Sequence, residues 1–396
     1  MERGSPTSTN HIRVRLARYI DRAIDTALST ERLVGVAVLI ALDGEIVYER
    51  AAGFADREAR ITSRPDTIFR LASVSKLIAS VAALAMMERQ MLSLDDPVSR
   101  WLTKFRPRLK DGSQPAITIR QLMTHTAGLD YGFASPGGPY QQAGVSSGLD
   151  MPGLSMHEAM DRLGSLPLLS EPGKAWNYSL ATDVLGAALE SAGRAPLSEL
   201  IRQLVIEPLG MTDTAFHVPP NKVERLAVPY ADGMPRPVRM SDPHEMLCQF
   251  GLLRFSPSRI LDPRSYPSAG AGMAGTARDL LSLLEAIRSG GAPVLRSDSA
   301  AALTHDALPP NLTTSFPGWT YGLGVGVLRD RQVAGVPHEN GTWRWGGAYG
   351  NEWFVNPDRR LTVVSLSNTA LEGTEGAYPR NLRDAIYYAL TSVAGA

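Results

Sequence analysis

The stretch Leu33–Gly53, "LVGVAVLIALDGEIVYERAAG", decides the fold class. β-Branched and apolar residues run on both sides of Asp43-Gly44, a dipeptide that tolerates the positive φ angles of a tight hairpin turn. A β-hairpin is therefore expected near the N-terminus. Before it, Ile12, Leu16, Tyr19, Ile20, Ala23, Ile24, Ala27 and Leu28 recur at helical spacing, which predicts an amphipathic helix with one buried stripe. After it, the run from Ser73 through Val81, Leu84 and Ala85 predicts a long apolar helix ending near "MLSLDDPVSRW".

Between residues 105 and 245 the β signal fades. There "SLATDVLGAALESAG" and "PLSELIRQLVIEPLG" read as helices ended by glycine or proline and joined by Pro- and Gly-rich loops. Past the helical "AGMAGTARDLLSLLEAIRSG" the β pattern resumes in "TYGLGVGVLRD", "HENGTWRWGGAYG", "NEWFVNPDRR" and "LTVVSLSN". A last helix carries Leu382, Ile386, Leu390 and Val393 on one face. Strands at both ends of the chain predict an α/β (α+β) fold with an antiparallel sheet flanked by helices and formed by both termini. Residues 1–104 and 246–396 would build that domain, and residues 105–245 a mostly helical inserted one.

Composition narrows the function. The chain has 396 residues, 44% hydrophobic and 20% charged, with a formal net charge of zero, so it offers no field to attract nucleic acid or anionic lipid. Neither partner is expected. Cys248 is the only cysteine, which excludes an intrachain disulfide and a cysteine-built metal site. The spacing of histidines and carboxylates implies no metal or organic cofactor. The opening "MERGSPTSTNHIRVRLARYI" lacks an apolar core like that of an export signal, and no run of about 18 apolar residues occurs, so a cytoplasmic protein is expected.

Chemistry enters at Phe69–Ser80, "FRLASVSKLIAS". On a helix, Ser73 and Lys76 at i and i+3 project from one face within hydrogen-bond reach. A serine hydroxyl is a poor nucleophile until a base takes its proton, and a desolvated lysine can serve. A Ser-x-x-Lys also arises by chance in a chain of this length. Yet Lys76 is the only lysine in the first 103 residues, and of the five in the chain it alone follows a serine by three positions. Arginine, preferred elsewhere, cannot act as a base. In "WNYSLATDVLG", Tyr178 stands at the head of an apolar helix, either as a core residue or as a third catalytic group. In "RWGGAYG", Gly346 and Gly347 mark a bulge or a strand edge that something approaches closely.

Together these residues resemble the serine β-lactamase and penicillin-binding-protein superfamily, and within it the family VIII carboxylesterases related to class C β-lactamases. The resemblance rests on "SVSK" at Ser73–Lys76, "YSL" at Tyr178–Leu180 and "WGG" at Trp345–Gly347, in that order, with "LMTHTAGL", "EPLGMTDTAF" and "SAGAGMAGTARDL" similar as well. It implies that Ser73 attacks an acyl carbon while Lys76 and Tyr178 share the acid–base work, the Lys76 ammonium favouring the phenolate. It implies an oxyanion hole of the Ser73 and Ala348 backbone N–H groups. Two departures bear on substrate. Trp345 replaces a lysine that would pair with a substrate carboxylate, and Leu180 replaces an asparagine that would hydrogen-bond an amide. Hydrolysis of neutral, apolar esters with short acyl chains is expected, with β-lactam turnover weak or absent, and with Tyr131, Leu180, Trp345, Gly346 and Gly347 in the binding wall. Tyr131 and Trp345 are equally consistent with packing.

Rival readings remain. β-Lactam hydrolysis, cleavage of D-amino-acid amides and acyl transfer to an alcohol would use the same site. "GVSSG" at Gly144–Gly148 fits the G-x-S-x-G nucleophile elbow with Ser146 at its centre, but that motif needs a strand before it and a helix after it. Neither flank reads that way, so a surface loop is expected. His125, His305 and His338 are candidate bases for Ser146, with His125 also suited to holding a loop. A scaffold that binds without turnover is the last alternative, and intact Ser73, Lys76 and Tyr178 argue against it.

Overall fold

The computed structural model describes residues 6–249 and 251–391, with side chains from residue 11 onward. The hairpin forms as expected: strands Gly35–Leu42 and Glu45–Asp56 pair antiparallel. Asp43 and Gly44 take φ of 53° and 87° in the turn, the left-handed pair that matches the twist of the flanking strands. The first strand also pairs antiparallel with Leu361–Ser367, near the other end of the chain. An eight-stranded sheet results, running through Trp319–Tyr321, Gly326–Leu328, Trp343–Gly347, Asn351–Asn356, Leu361–Ser367, Gly35–Leu42, Glu45–Asp56 and Ile61–Thr62. Both halves of the sequence thus meet at its centre.

Alternation along Gly35–Leu42 divides the core in two. Val36, Val38 and Ile40 pack against Leu16, Ile20 and Ile24 of the helix Pro6–Ser29 and against Leu382 and Ile386 of the helix Ala377–Thr391. Ala37, Leu39 and Ala41 face the opposite layer, with Leu280, Leu281 and Leu284 of the helix Ala277–Arg288 and the helix Ser75–Glu88. The small alanines on that side leave room for helices to lie close. The helix Ser75–Glu88 is buried from Ser75 to Met86, which places Lys76 in the interior. Val393, assigned above to the last helical face, lies outside the described residues.

The middle of the chain carries helices and a few short strands. Its helices include Met156–Gly164, Ala181–Gly193 and Leu197–Ile201, the last continued by a π turn at Arg202–Ile206. However, three strands fall in residues 105–245 or across their end. Tyr230–Ala231 pairs parallel with Thr369–Ala370 and antiparallel with Val238–Arg239, and His244–Cys248 forms a hairpin with Gly251–Phe255. The first two are only two residues long, too short for any alternation to register. Among the described residues, no helix is long and apolar enough to cross a membrane.

Candidate active site

Ser73 does not begin an α-helix, as its sequence neighbours suggest, but sits in a 3-10 turn, Ala72–Val74, between the strand Phe69–Arg70 and the helix Ser75–Glu88. Ala72 takes a φ of 47°, a left-handed conformation that costs a non-glycine residue about 1–2 kcal/mol. Surrounding bonds hold it there. Leu71 N–H donates to Met273 O at 2.8 Å, while Asn351 Nδ2 donates to the carbonyls of Arg70 at 2.8 Å and Leu71 at 3.3 Å. The strand Trp343–Gly347 closes on the same turn. A Cβ at Gly347 would lie 2.1 Å from Leu71 O, and one at Gly346 would meet Thr374 Cγ2 at 2.7 Å. What approaches closely is the protein itself, the Leu71 backbone at Gly347 and the Thr374 side chain with the Asn351 carbonyl at Gly346, and both glycines also border the cavity.

Ser73, Lys76 and Tyr178 converge. Tyr178 OH donates to Ser73 Oγ at 2.7 Å, and Lys76 Nζ lies 3.2 Å from the same oxygen. Lys76 is fully buried and donates also to Tyr131 OH at 2.8 Å and to Gly270 O at 2.7 Å. An ammonium has three N–H bonds, and three oxygens surround this one. Its charge lies over the Tyr178 ring, 4.8 Å from the centroid, so the ring faces as well as the oxygens solvate it. Burial, with the nearby Tyr178 and Asp183 adding to it, holds Tyr131 well above the ordinary phenol range, so that its hydroxyl stays neutral and available as an acceptor.

Tyr178 comes from a loop ahead of the helix Ala181–Gly193, and a second loop pins it. Asn177 N–H donates to His125 O at 2.8 Å, Asn177 Nδ2 to Leu129 O at 2.6 Å, and Ser179 N–H to His125 Nδ1 at 3.3 Å. Burial first, and the Lys76 charge second, hold His125 well below the usual imidazole range. It is a neutral acceptor that fastens the Tyr178 loop. His338 is likewise buried, 2.9 Å from Tyr387 OH, and is held down to about 3 by burial and two arginines. Both groups bind a proton more readily unfolded, so their contribution to stability is full above about pH 6.5 and falls as pH drops toward their folded values. In His338→Gln the decline of stability between about pH 6.5 and 4 should be shallower by up to ~1.4 kcal/mol per pH unit, checked by urea unfolding across that range.

Beside Ser73 opens a cavity of about 190 Å³. An aromatic molecule such as benzene fits a cavity of about 150 Å³, so a short acyl chain and a small alcohol can be held here. Aromatic rings dominate its wall: Tyr131, Phe133, Tyr178, Phe316, Trp319, Tyr321 and Trp345. Gly346, Gly347 and Ala348 line it too. Leu180, expected in this wall, is a correction. It is 2% exposed, packs in the hydrophobic core and does not line the cavity, because the residue preceding the buried helix Ala181–Gly193 turns its apolar side chain inward.

Some features were not anticipated. The hydroxyl of Tyr131 and the carbonyl of Gly270 as partners of Lys76 are among them, although Gly270 lies in the quoted small-residue run "SAGAGMAG". Arg344 and Glu375 also reach the rim, with Arg344 3.9 Å from Glu352 and 5.0 Å over the Trp319 ring. Ser146 lies in irregular structure, but it is buried at 3% exposed and not on the surface as expected, because its Oγ donates to the buried Asp150 Oδ1 at 2.7 Å and accepts from Gly148 N–H at 3.1 Å. His305 is exposed at a helix end, bonded to Ala301 O.

Comparison with known proteins agrees with this geometry. A β-lactamase family model matches residues 20–387. Esterase EstB of Burkholderia gladioli is 46% identical over 388 residues, spanning 96% of this chain and 98% of its own. The structure of EstCE1, described as a hydrolase with promiscuous acyltransferase activity, superposes with a TM-score of 0.92 at 42% identity, covering 95% of this chain and 99% of that one. Simvastatin synthase from Aspergillus terreus shares the fold at 21% identity, with a TM-score of 0.75 and coverage of 95% and 99%. A family match over nearly the whole length, a relative of almost equal length and a superposable neighbour agree, and the chain belongs to the β-lactamase family, on its family VIII branch.

Proposed function

We propose that the protein is a serine carboxylesterase that hydrolyses short-chain acyl esters through an acyl-enzyme, with Ser73 as nucleophile. The observation that carries this reading is a single hydroxyl, Ser73 Oγ, hydrogen-bonded to both Tyr178 and Lys76 at the edge of an apolar cavity. Once Tyr178 has given its own proton to solvent, the Lys76 ammonium stabilises the phenolate, the 2.7 Å contact reverses, and Ser73 Oγ passes its proton to Tyr178 as it attacks the ester carbon. Negative charge on the former carbonyl oxygen is taken up by the Ser73 and Ala348 N–H groups. Tyr178 returns the proton to the departing alkoxide, which leaves as alcohol. Water then repeats the sequence on the acyl-enzyme, releasing the acid and restoring Ser73.

Substrate preference follows from the wall. Where lactamases place a lysine, Trp345 presents an indole, and Leu180 brings no polar group to the cavity. A β-lactam carboxylate would lose the partner that lysine supplies, at a cost of about 2–3 kcal/mol. The kcat/KM for a short p-nitrophenyl ester should therefore exceed that for a β-lactam by about 10²-fold, and the reverse order in steady-state assays would overturn the ranking. Labelling with a fluorophosphonate and mapping the modified peptide tests the chemistry: adduct at Ser73 is expected, while adduct at Ser146 or none supports the α/β-hydrolase or the non-catalytic scaffold. The aromatic wall also favours an alcohol as acyl acceptor. In mixtures of water and a small alcohol, transesterified product measured by chromatography separates this second reading from hydrolysis alone.

A further inference from the structure

The buried group that the proposed steps leave unused is Asp183. It stands in the first turn of the helix Ala181–Gly193, five residues after Tyr178, and is 1% exposed. Gly270 joins it to Lys76: its N–H donates to Asp183 Oδ1 at 3.2 Å, and its C=O accepts from Lys76 Nζ at 2.7 Å. The joint is tight. A Cβ on Gly270 would lie 3.0 Å from Asp183 Oδ2 and 3.2 Å from Tyr131 OH.

We propose that Asp183 is a positioning residue, the buried counter-charge that acts through Gly270 to hold Lys76 as an ammonium against Ser73. The inference rests on the esterase reading of the site above. A buried ammonium without an opposite charge is costly, and Lys76 makes no direct ion pair among the described residues. Tyr131, Tyr178 and His125 face Lys76, while Tyr131, Tyr266 and Arg259 face Asp183. Burial keeps Tyr131 and Tyr266 protonated and His125 uncharged. The charges left are Lys76 and Arg259 against Asp183, with Asp150 beyond Arg259, whose Nε donates to the Asp150 carbonyl. Burial raises Asp183 above the usual carboxylate range, while hydrogen bonds from Ser268 and Gly270 and the two cations pull it back toward the ionised form.

Two measurements test this. In a cycle of Tm values, Asp183→Asn and Lys76→Met each leave one buried charge without its partner and each lower Tm. The double variant lacks both charges, and its Tm should lie above the value that adding the two losses predicts. Strict additivity overturns the proposal. This readout needs no turnover, so its failure is separable from a failure of the esterase reading, and the double variant stays measurable where Asp183→Asn alone does not fold. In folded Asp183→Asn, the alkaline limb of kcat/KM on a short p-nitrophenyl ester should move to lower pH by about one unit, since removing an anion eases proton loss from the site. KM should change less than about twofold. A limb that stays in place while activity falls only with the folded fraction overturns the proposal.

Discussion

Ser73→Ala should lower kcat/KM on a short p-nitrophenyl ester by on the order of 10⁴-fold or more and leave Tm unchanged or slightly raised. The loss is large because Ser73 Oγ is the oxygen that both Tyr178 OH and Lys76 Nζ bond. The stability result has a different origin. Ser73 is half-buried beside an open cavity, so water can replace the deleted hydroxyl as a partner for Tyr178, and the bonds that hold the Ala72 turn, from Leu71 N–H and Asn351, do not involve that hydroxyl. Ser146→Ala should do the opposite. Its hydroxyl is 3% exposed and bonded to a buried carboxylate, so its loss costs about 1–3 kcal/mol of stability while activity stays within about threefold of the parent. Steady-state assays and thermal melts on the two variants check both. An active Ser73→Ala enzyme would end the proposed mechanism.

The contrast between these serines shows what was legible in the sequence. Leu33–Gly53 announced a hairpin because its turn needs left-handed residues at two adjacent positions, and Asp43-Gly44 is among the few dipeptides that supply them. The Ser73–Lys76 spacing was legible because it spans one turn, from the 3-10 turn Ala72–Val74 into the helix Ser75–Glu88, and a turn is a local geometry. Convergence of Tyr178 on Ser73 across 105 residues is not local, and only the resemblance to a known family pointed to it. Tyr131 illustrates the limit. Nothing in "GLDYGF" separates a tyrosine that packs from one whose hydroxyl accepts a hydrogen bond from a lysine, since that depends on where a distant helix is laid. Leu180 failed for a related reason: its neighbour two residues back reaches the cavity, but the chain has begun to turn into the helix and its own side chain points to the core. The short strand Tyr230–Ala231 pairs with Thr369–Ala370, a contact formed across the whole fold, and Val238–Arg239 in turn pairs with Tyr230–Ala231.

Gly347→Ala should reduce kcat on the same ester by about 10²–10³-fold, the cost associated with losing one oxyanion donor, with a fall of about 1–3 kcal/mol in stability. One methyl group has this reach because of where it must go. Gly347 lies at the end of the strand Trp343–Gly347, immediately before Ala348, and its missing Cβ would stand 2.1 Å from Leu71 O and 3.1 Å from Asn351 Nδ2. Backbone cannot yield as a long side chain does. The strand must retreat from Leu71, or the turn bearing Ser73 must retreat from the strand, and either movement separates the Ser73 N–H from that of Ala348. Asn351 Nδ2 would lose its hold on the same Leu71 carbonyl, which helps keep Ala72 left-handed. Binding in the aromatic wall would be little affected, so KM should shift far less than kcat, a pattern expected when an interaction made in the transition state is lost. Circular dichroism confirms that the variant is folded, and fluorophosphonate labelling of Ser73 should slow in parallel with kcat. A folded Gly347→Ala enzyme with near-parental kcat would mean that the strand end and the nucleophile turn do not jointly set the oxyanion geometry.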